Sequence, residues 1–410
     1  MRGLLTSLFR SRESKQLTII KRSAFFDEAW YLEKYPDVAS AGVDAALHFL
    51  LHGASEGRDP GPRFSTNTYI LQIPVSSIES ENPLVHFEKH ATAAQRAQPP
   101  MPNELLVRPN HDRALNAREA RKNPGLVAAS ERTLNEFISK LPDPADYDGS
   151  GKVPKIFHFI YGFHSAGDLP YFGYLAIRSA LAFNPGWSAF YYCMHEPEGP
   201  NWDRIKDHVT VIRLDDFDYF MGARFYHYAH KADIIRMIVI NRVGGVYLDL
   251  DTITRKSFED LRDAQFCMGV QAAGVGSASG LCNAVMIGQP NAAFSTEWLA
   301  QYDYFRSRGR DSLWDYHSVK LPSILMSRQP DTILVLDYRA FFYPLWMTIE
   351  QQLFTERGYD LFKDCFYSAY CFHLWNGGTG HFLEELDEDL IMGSRTIYAD
   401  IARRALEISL

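Results

Sequence analysis

The 410-residue sequence predicts an α/β domain built on a largely parallel sheet, preceded by a small all-α repeat domain. Two observations predict it. From residue 151 onward, short apolar strand-like runs alternate with helical stretches, and the first quarter of the chain repeats itself at an offset of 38 residues. At 46% hydrophobic, 22% charged and 14% aromatic residues, there is apolar mass for a sizeable core, which excludes disordered and collagen-like chains. The net charge of −8, with no long Lys/Arg run, argues against a nucleic-acid partner. The five cysteines (Cys193, Cys267, Cys282, Cys365, Cys371) are odd in number and lack a Cys-x-x-Cys pair. That argues against a zinc knuckle or disulfide framework and fits reduced thiols in a cytoplasmic compartment. No apolar run reaches the ~18 residues of a membrane span.

Residues 1–24 are expected to form a flexible tail; its start, MRGLLTSLFRSRESKQ, reads as a frayed terminus or a weak amphipathic anchor for peripheral membrane association, at the inner face of a membrane. Residues 25–98 hold the two copies. With Phe26 set on Phe64, Tyr31 meets Tyr69, Leu32 meets Ile70, Pro36 meets Pro74, His48 meets His86, Phe49 meets Phe87 and His52 meets His90. Units this small cannot bury their own apolar faces, so the copies are expected to pack on each other. The His pairs, four apart, could clamp a metal on one helical face, but no carboxylate or Cys accompanies them at a matching spacing, which favours packing. Residues 99–150 are a Pro-rich linker in which Leu134, Phe137, Ile138 and Leu141 mark a helix, and Asp148-Gly149-Ser150-Gly151 marks a hinge. The α/β domain is assigned to 151–410.

Within it, residues 155–163 read as a buried strand and 171–183 as a helix stopped by Asn184-Pro185-Gly186. Strands follow at 188–194 and 208–214, and a helix at 226–242 ends at Gly244-Gly245, which supply the positive φ of a helix C-terminus. The stretch GVGSASG (274–280) lacks the Lys-Ser/Thr ending of a phosphate loop and reads as a flexible loop or lid.

The segment VYLDLD (246–251) carries the chemistry. A period of two puts Val246, Leu248 and Leu250 on one face and Tyr247, Asp249 and Asp251 on the other, with the carboxylates ~6.6 Å apart at a strand end. Two like charges there repel by ~2.5 kcal/mol at an effective dielectric of about 20. A cation beside them relieves this, and oxygen ligands without adjacent Cys or His favour Mg²⁺ or Mn²⁺. Upstream, Asp233 and Arg236 share a helix face, whether as a plain ion pair or as part of the same rim.

The string from His230 to Thr252 resembles the signature of the glycosyltransferase family with a DXD sugar-binding motif, which includes yeast-type α-mannosyltransferases and bacterial capsule and lipopolysaccharide enzymes and is related to clostridial glucosylating toxins. The motifs are VPKIFHFIY (153–161), KADIIRM (231–237), GGVYLDLD (244–251), CNAVMIG (282–288) and FHLWNGG (372–378), so the resemblance spans about residues 152–380. The first N-terminal copy likewise resembles a helical repeat appended to bacterial glycosyltransferases. The resemblance implies a GT-A (Rossmann-like) fold, a nucleotide-diphosphate sugar donor (UDP- or GDP-sugar) and retention of anomeric configuration.

Carried over residue by residue, Asp251 binds the metal directly and Asp249 acts through the metal and the donor. His373 is a third ligand, Asp233 and Arg236 hold sugar hydroxyls, and Asn283 faces the anomeric carbon. Trp375 and Asn376 close over the diphosphate. Tyr161 is placed with the cofactor-binding residues, as is His158, for which a structural role inside the first strand is the competing reading. Met237 and Tyr161 depart from the family's usual Tyr and Trp, and HSVKLPS (317–323) replaces its Gly-Pro. The expected function is therefore metal-dependent sugar transfer to a saccharide or lipid-linked saccharide acceptor in surface polysaccharide assembly, with the repeats open to a partner enzyme. A sugar-phosphate transferase using the same Asp pair, and a catalytically degenerate scaffold built on the repeats, are the alternatives.

Overall fold

The computed structural model describes residues 14–56, 58–66, 69–70, 81–97, 99–100, 107, 109–147, 150–274, 277–307 and 313–410. The beginning of the tail, the middle of the second repeat copy with Pro74, and the Asp148-Gly149 part of the hinge lie outside the described residues. The chain forms two compact units. One comprises residues 1–123 with 221–227 and 303–315; the other comprises 124–220, 228–302 and 316–410. Residues 124–150, expected in the linker, thus belong to the second unit.

In the first unit, α1 (Glu28–Lys34) starts where the Asp27 carboxylate accepts the Trp30 N–H at 3.0 Å, and α2 (Pro36–Ala41) stops at Gly42 in the left-handed region. A short helix, Ala45–His48, follows. The helix α3 (Pro83–His90) is capped by Asn82 with Pro at its first position, and α4 (Pro109–Lys122) follows. Contacts recur at the repeat's offset. Tyr31 Oη lies 3.0 Å from His48 Nδ1, and Tyr69 Oη lies 2.8 Å from His86 Nδ1. Phe26 packs on Tyr31 as Phe64 packs on Tyr69. Side chains of both copies, including Tyr31, Phe49, Phe64, Tyr69 and Phe87, share one buried core.

In the second unit, α5 (Pro124–Ser139) precedes a seven-stranded sheet. Its strands are β1 (Ile156–Ile160), β2 (Ser188–Cys193), β3 (Thr210–Arg213), β4 (Gly245–Leu248), β6 (Phe266–Gly274), β7 (Ser277–Gly288) and β8 (Leu334–Leu336). Their order is β8-β6-β7-β4-β1-β2-β3. Every pairing is parallel except those of β7 with β4 and β6, so the α/β class with a largely parallel sheet expected from the strand–helix alternation holds. A second, two-stranded antiparallel sheet joins β5 (Thr252–Thr254) to β9 (Cys371–His373).

Alternation along the central strands sorts side chains between the two faces of the sheet. Phe157, Phe159, Val246 and Leu248 join the core that includes α6 (Tyr171–Ala182) and α9 (Ile397–Glu407). His158 and Tyr247 point the other way, toward α7 (Tyr228–Arg242) and the turn that ends it. Gly244 and Gly245, at φ 71° and 97°, turn α7 directly into β4. A Cβ on Gly245 would meet the Ile156 carbonyl oxygen at 2.6 Å and His158 Nε2 at 2.9 Å. The tight return requires glycine on both conformational and steric grounds.

Two local expectations are corrected. Strand β4 ends at Leu248, so Asp249 and Asp251 lie in the turn leading to β5 rather than on the strand. The antiparallel pairing still reaches Asp249, whose N–H donates to the Ala284 carbonyl at 2.9 Å. The described part of the 274–280 stretch is strand rather than loop: Gly274 ends β6 and Ser277 to Gly280 begin β7, and the two strands pair antiparallel; residues 275 and 276 lie outside the described residues.

Candidate active site

Helix α7 positions Asp233 and Arg236 one turn apart, both buried, over the face of the sheet that carries Tyr247. The Arg236 guanidinium lies 4.7 Å from the Tyr247 ring centre, and its Nη1 is 2.9 Å from Asp249 Oδ1. The same Nη1 reaches Asn283 Oδ1 at 3.2 Å and the Asn283 carbonyl at 3.3 Å. Asp233 is 3.4 Å from Arg236 Nε and accepts from Asn283 Nδ2 at 2.8 Å. Helix α7 and strand β7 thus bring the three predicted residues Asp233, Arg236 and Asn283 into one network. Burial pushes the Asp233 carboxyl up to about 6, against the opposing pull of Arg236.

Strand β9, late in the chain, pairs with β5 so that His373 stands opposite Thr252. This register delivers the imidazole to the DXD turn: His373 Nε2 is 3.4 Å from Asp251 Oδ1 and 4.0 Å from Asp249 Oδ2. Asp249, Asp251 and His373 each offer one ligand atom, all within 4.8 Å of one another. Burial alone would lower the His373 pKa, but the Asp251 and Asp249 carboxylates outweigh it and raise it. Burial raises Asp249, with Arg236 opposing. For Asp251 the burial effect is overcome by His373 and by the Asn376 N–H, and its carboxyl falls below the usual range.

That N–H opens α8 (Asn376–Leu383) and donates to Asp251 Oδ2 at 2.7 Å. The positive end of this helix therefore faces the carboxylate. Trp375, in the left-handed region at φ 60°, redirects the chain from β9 into α8. Its ring sits edge-on to His373 at 4.5 Å. Predicted residues from four separate motifs meet here.

Tyr161 and His158 fall outside these contacts. Tyr161 is exposed just past β1. His158 is fully buried, with Nδ1 2.8 Å from the Tyr192 hydroxyl and Nε2 2.6 Å from the Gly244 carbonyl. With both ring nitrogens engaged and no exposed surface, it does not suit the cofactor-binding role expected for it and instead ties β1 to β2 and to the glycine turn. Burial holds its pKa down at about 4. One site residue was missed: Tyr247, whose hydroxyl donates to Asp249 Oδ1 at 2.6 Å. Its placement on the same alternating face as the two aspartates was the available signal.

Residues 174–267 match the model of the glycosyltransferase sugar-binding region containing the DXD motif. Glucan organizing enzyme 1 of Cryptococcus neoformans var. grubii serotype A is 33% identical over 277 residues, covering 65% of this chain and 74% of that protein. Similar solved structures include the PaToxG glycosyltransferase, at 16% identity over 52% of this chain and 80% of that one with a TM-score of 0.33. Another is the galactosyltransferase LgtC in complex with donor and acceptor sugar analogues, at 15% identity over 62% and 96% with a TM-score of 0.34. The fungal relative shares this identity across most of its length, and the family match includes both aspartates of the 249–251 turn; the chain belongs to the glycosyltransferase family whose sugar-binding region contains the DXD motif.

Proposed function

We propose that this glycosyltransferase moves a sugar from a UDP- or GDP-sugar to a saccharide acceptor, with retention of configuration and dependence on Mn²⁺ or Mg²⁺. The observation that carries the reading is the convergence of Asp249, Asp251 and His373 on one point. Two carboxylates and an imidazole suit a divalent cation, and the imidazole tilts the preference toward Mn²⁺. Asp249 directs Oδ1 to Tyr247 and Arg236, while its Oδ2 faces His373 and is the oxygen offered to the ion.

When bound, the ion supplies Lewis-acid stabilisation of charge on the departing diphosphate. The first-turn amides of α8 beyond Asn376, whose own N–H is held by Asp251, bind and orient that diphosphate, as a helix N-terminus binds anions generally. The buried Asp233–Arg236–Asn283 network holds the donor sugar's hydroxyls, and its fixed hydrogen bonds set the sugar's orientation before reaction. Trp375 closes the site from the β9 side. For retention, the acceptor hydroxyl attacks on the face the diphosphate leaves, and the departing phosphate oxygen takes its proton.

Surface polysaccharide assembly supplies the biological setting, and the name of the fungal relative adds glucan to the acceptor classes. Among the described residues no helix is long and apolar enough to cross a membrane.

A panel of UDP- and GDP-sugars in thermal-shift measurements, with and without Mn²⁺, tests the reading, since a ligand of the folded state raises its apparent stability. One donor class is expected to raise the melting temperature only with the metal, and Asp251→Asn to abolish that rise. A panel without any metal-dependent shift overturns the reading.

A further inference from the structure

The segment after the turn at Tyr338–Ala340 is fastened to His373 and Trp375. The His373 N–H donates to the Phe341 carbonyl at 2.9 Å, and Trp375 Nε1 donates to the Pro344 carbonyl at 3.2 Å. The Phe342 ring packs 5.8 Å from His373 and 6.0 Å from Trp375. Directly beyond, the chain makes a tight turn in which the Thr348 N–H donates to the Leu345 carbonyl at 2.8 Å. Leu345 and Ile349 are buried on either side of it. The two corner residues, Trp346 and Met347, are 53% and 54% exposed.

A single exposed apolar side chain is ordinary. Two large ones side by side leave a contiguous apolar patch facing water, and here they sit on a turn pinned through Pro344 to Trp375. The remaining requirement of the reaction is a surface that holds the acceptor beside the donor. A pyranose presents a flat face of C–H bonds rimmed by hydroxyls. An indole covers that face while its N–H bonds a hydroxyl, and a thioether adapts to the neighbouring contour.

We propose that the Trp346–Met347 turn is the acceptor platform, with the Trp346 ring stacked on a pyranose of the acceptor saccharide; this rests on the reading of the Asp249–Asp251–His373 cluster as the donor and metal site. The Pro344–Trp375 hydrogen bond sets the height of the platform relative to that cluster.

The experiment measures transfer from the donor identified by thermal shift to laminari-, malto- and manno-oligosaccharides, for the full chain and for Trp346→Ala and Trp346→Phe. Trp346→Ala is expected to raise the acceptor KM by about tenfold or more, a loss of about 1.4 kcal/mol or more in acceptor binding. The donor KM and the metal-dependent donor shift are expected to stay as in the parent, and Trp346→Phe to restore most of the acceptor affinity. An acceptor KM unchanged in Trp346→Ala overturns the proposal, as does a metal-dependent donor shift with no oligosaccharide accepted. It is also overturned if Trp346→Ala instead abolishes sedimentation with phosphatidylcholine/phosphatidylserine vesicles, which would make the turn a lipid contact. Loss of the donor shift in the parent protein indicts the donor-site reading instead, so the two failures are separable.

Discussion

Arg236 Nη1 stands 2.9 Å from Asp249 Oδ1, so a side chain of α7 fixes the orientation of the first aspartate of the DXD turn. The contact is a partly buried ion pair, and breaking such a pair from one side strands the remaining charge. Arg236→Ala is expected to cost about 3–5 kcal/mol in stability. Transfer is expected to fall by roughly a hundredfold or more as Asp249 and Asn283 lose their common donor. Denaturant unfolding and initial-rate measurements check the two effects. Arg236→Lys, which keeps the charge and loses the planar fork, is expected to recover stability better than rate.

Tyr247→Phe removes only the hydroxyl that donates to Asp249 Oδ1. The expected stability loss is about 0.5–1.5 kcal/mol. The ring beneath Arg236 remains, so the larger effect should fall on the metal: a weaker apparent Mn²⁺ affinity in the donor thermal-shift titration, with donor affinity at saturating Mn²⁺ nearly unchanged.

Gly245→Ala places a Cβ 2.6 Å from the Ile156 carbonyl at a φ of 97°. The backbone conformation alone costs about 1–3 kcal/mol for a residue with a Cβ, and the steric clash adds to it. Because β4 leads straight into the DXD turn, donor stabilisation by Mn²⁺ should fall together with the melting temperature.

His158 gives stability a dependence on acidity. Its folded-state pKa is depressed to about 4 from an ordinary 6.5, so the unfolded chain takes up the proton first as pH falls. The His158 contribution is therefore complete above 6.5 and is lost as pH drops toward 4, by roughly 3 kcal/mol in all. Urea unfolding measured across that window should show the decline, and His158→Gln should flatten it.

Much of the second unit was legible because its signals are local. The strands at 155–163 and 188–194 are apolar runs, and Gly244-Gly245 end α7 by chemistry visible in the two letters. The 38-residue offset visible in the sequence reappears in two contacts, Tyr31 with His48 and Tyr69 with His86. The antiparallel β6–β7 pairing was not legible, since GVGSASG is composed of residues that favour loops and its strand pairing comes from the partner strand. Likewise, nothing near His158 in sequence reveals that Tyr192 and Gly244 occupy both its nitrogens. Arg236 shows the same limit: its spacing from Asp233 was readable, but the pairing with Asp249 depends on how α7 lies against the sheet.

The register of β9 against β5 joins the earliest and latest parts of the acidic centre. A ribosome releases Asp249 and Asp251 more than a hundred residues before His373 can reach them. On the proposed metal-site reading, a nascent chain carrying only the aspartates would lack the third ligand, and consumption of nucleotide sugar would begin only once the final strand had been stitched in.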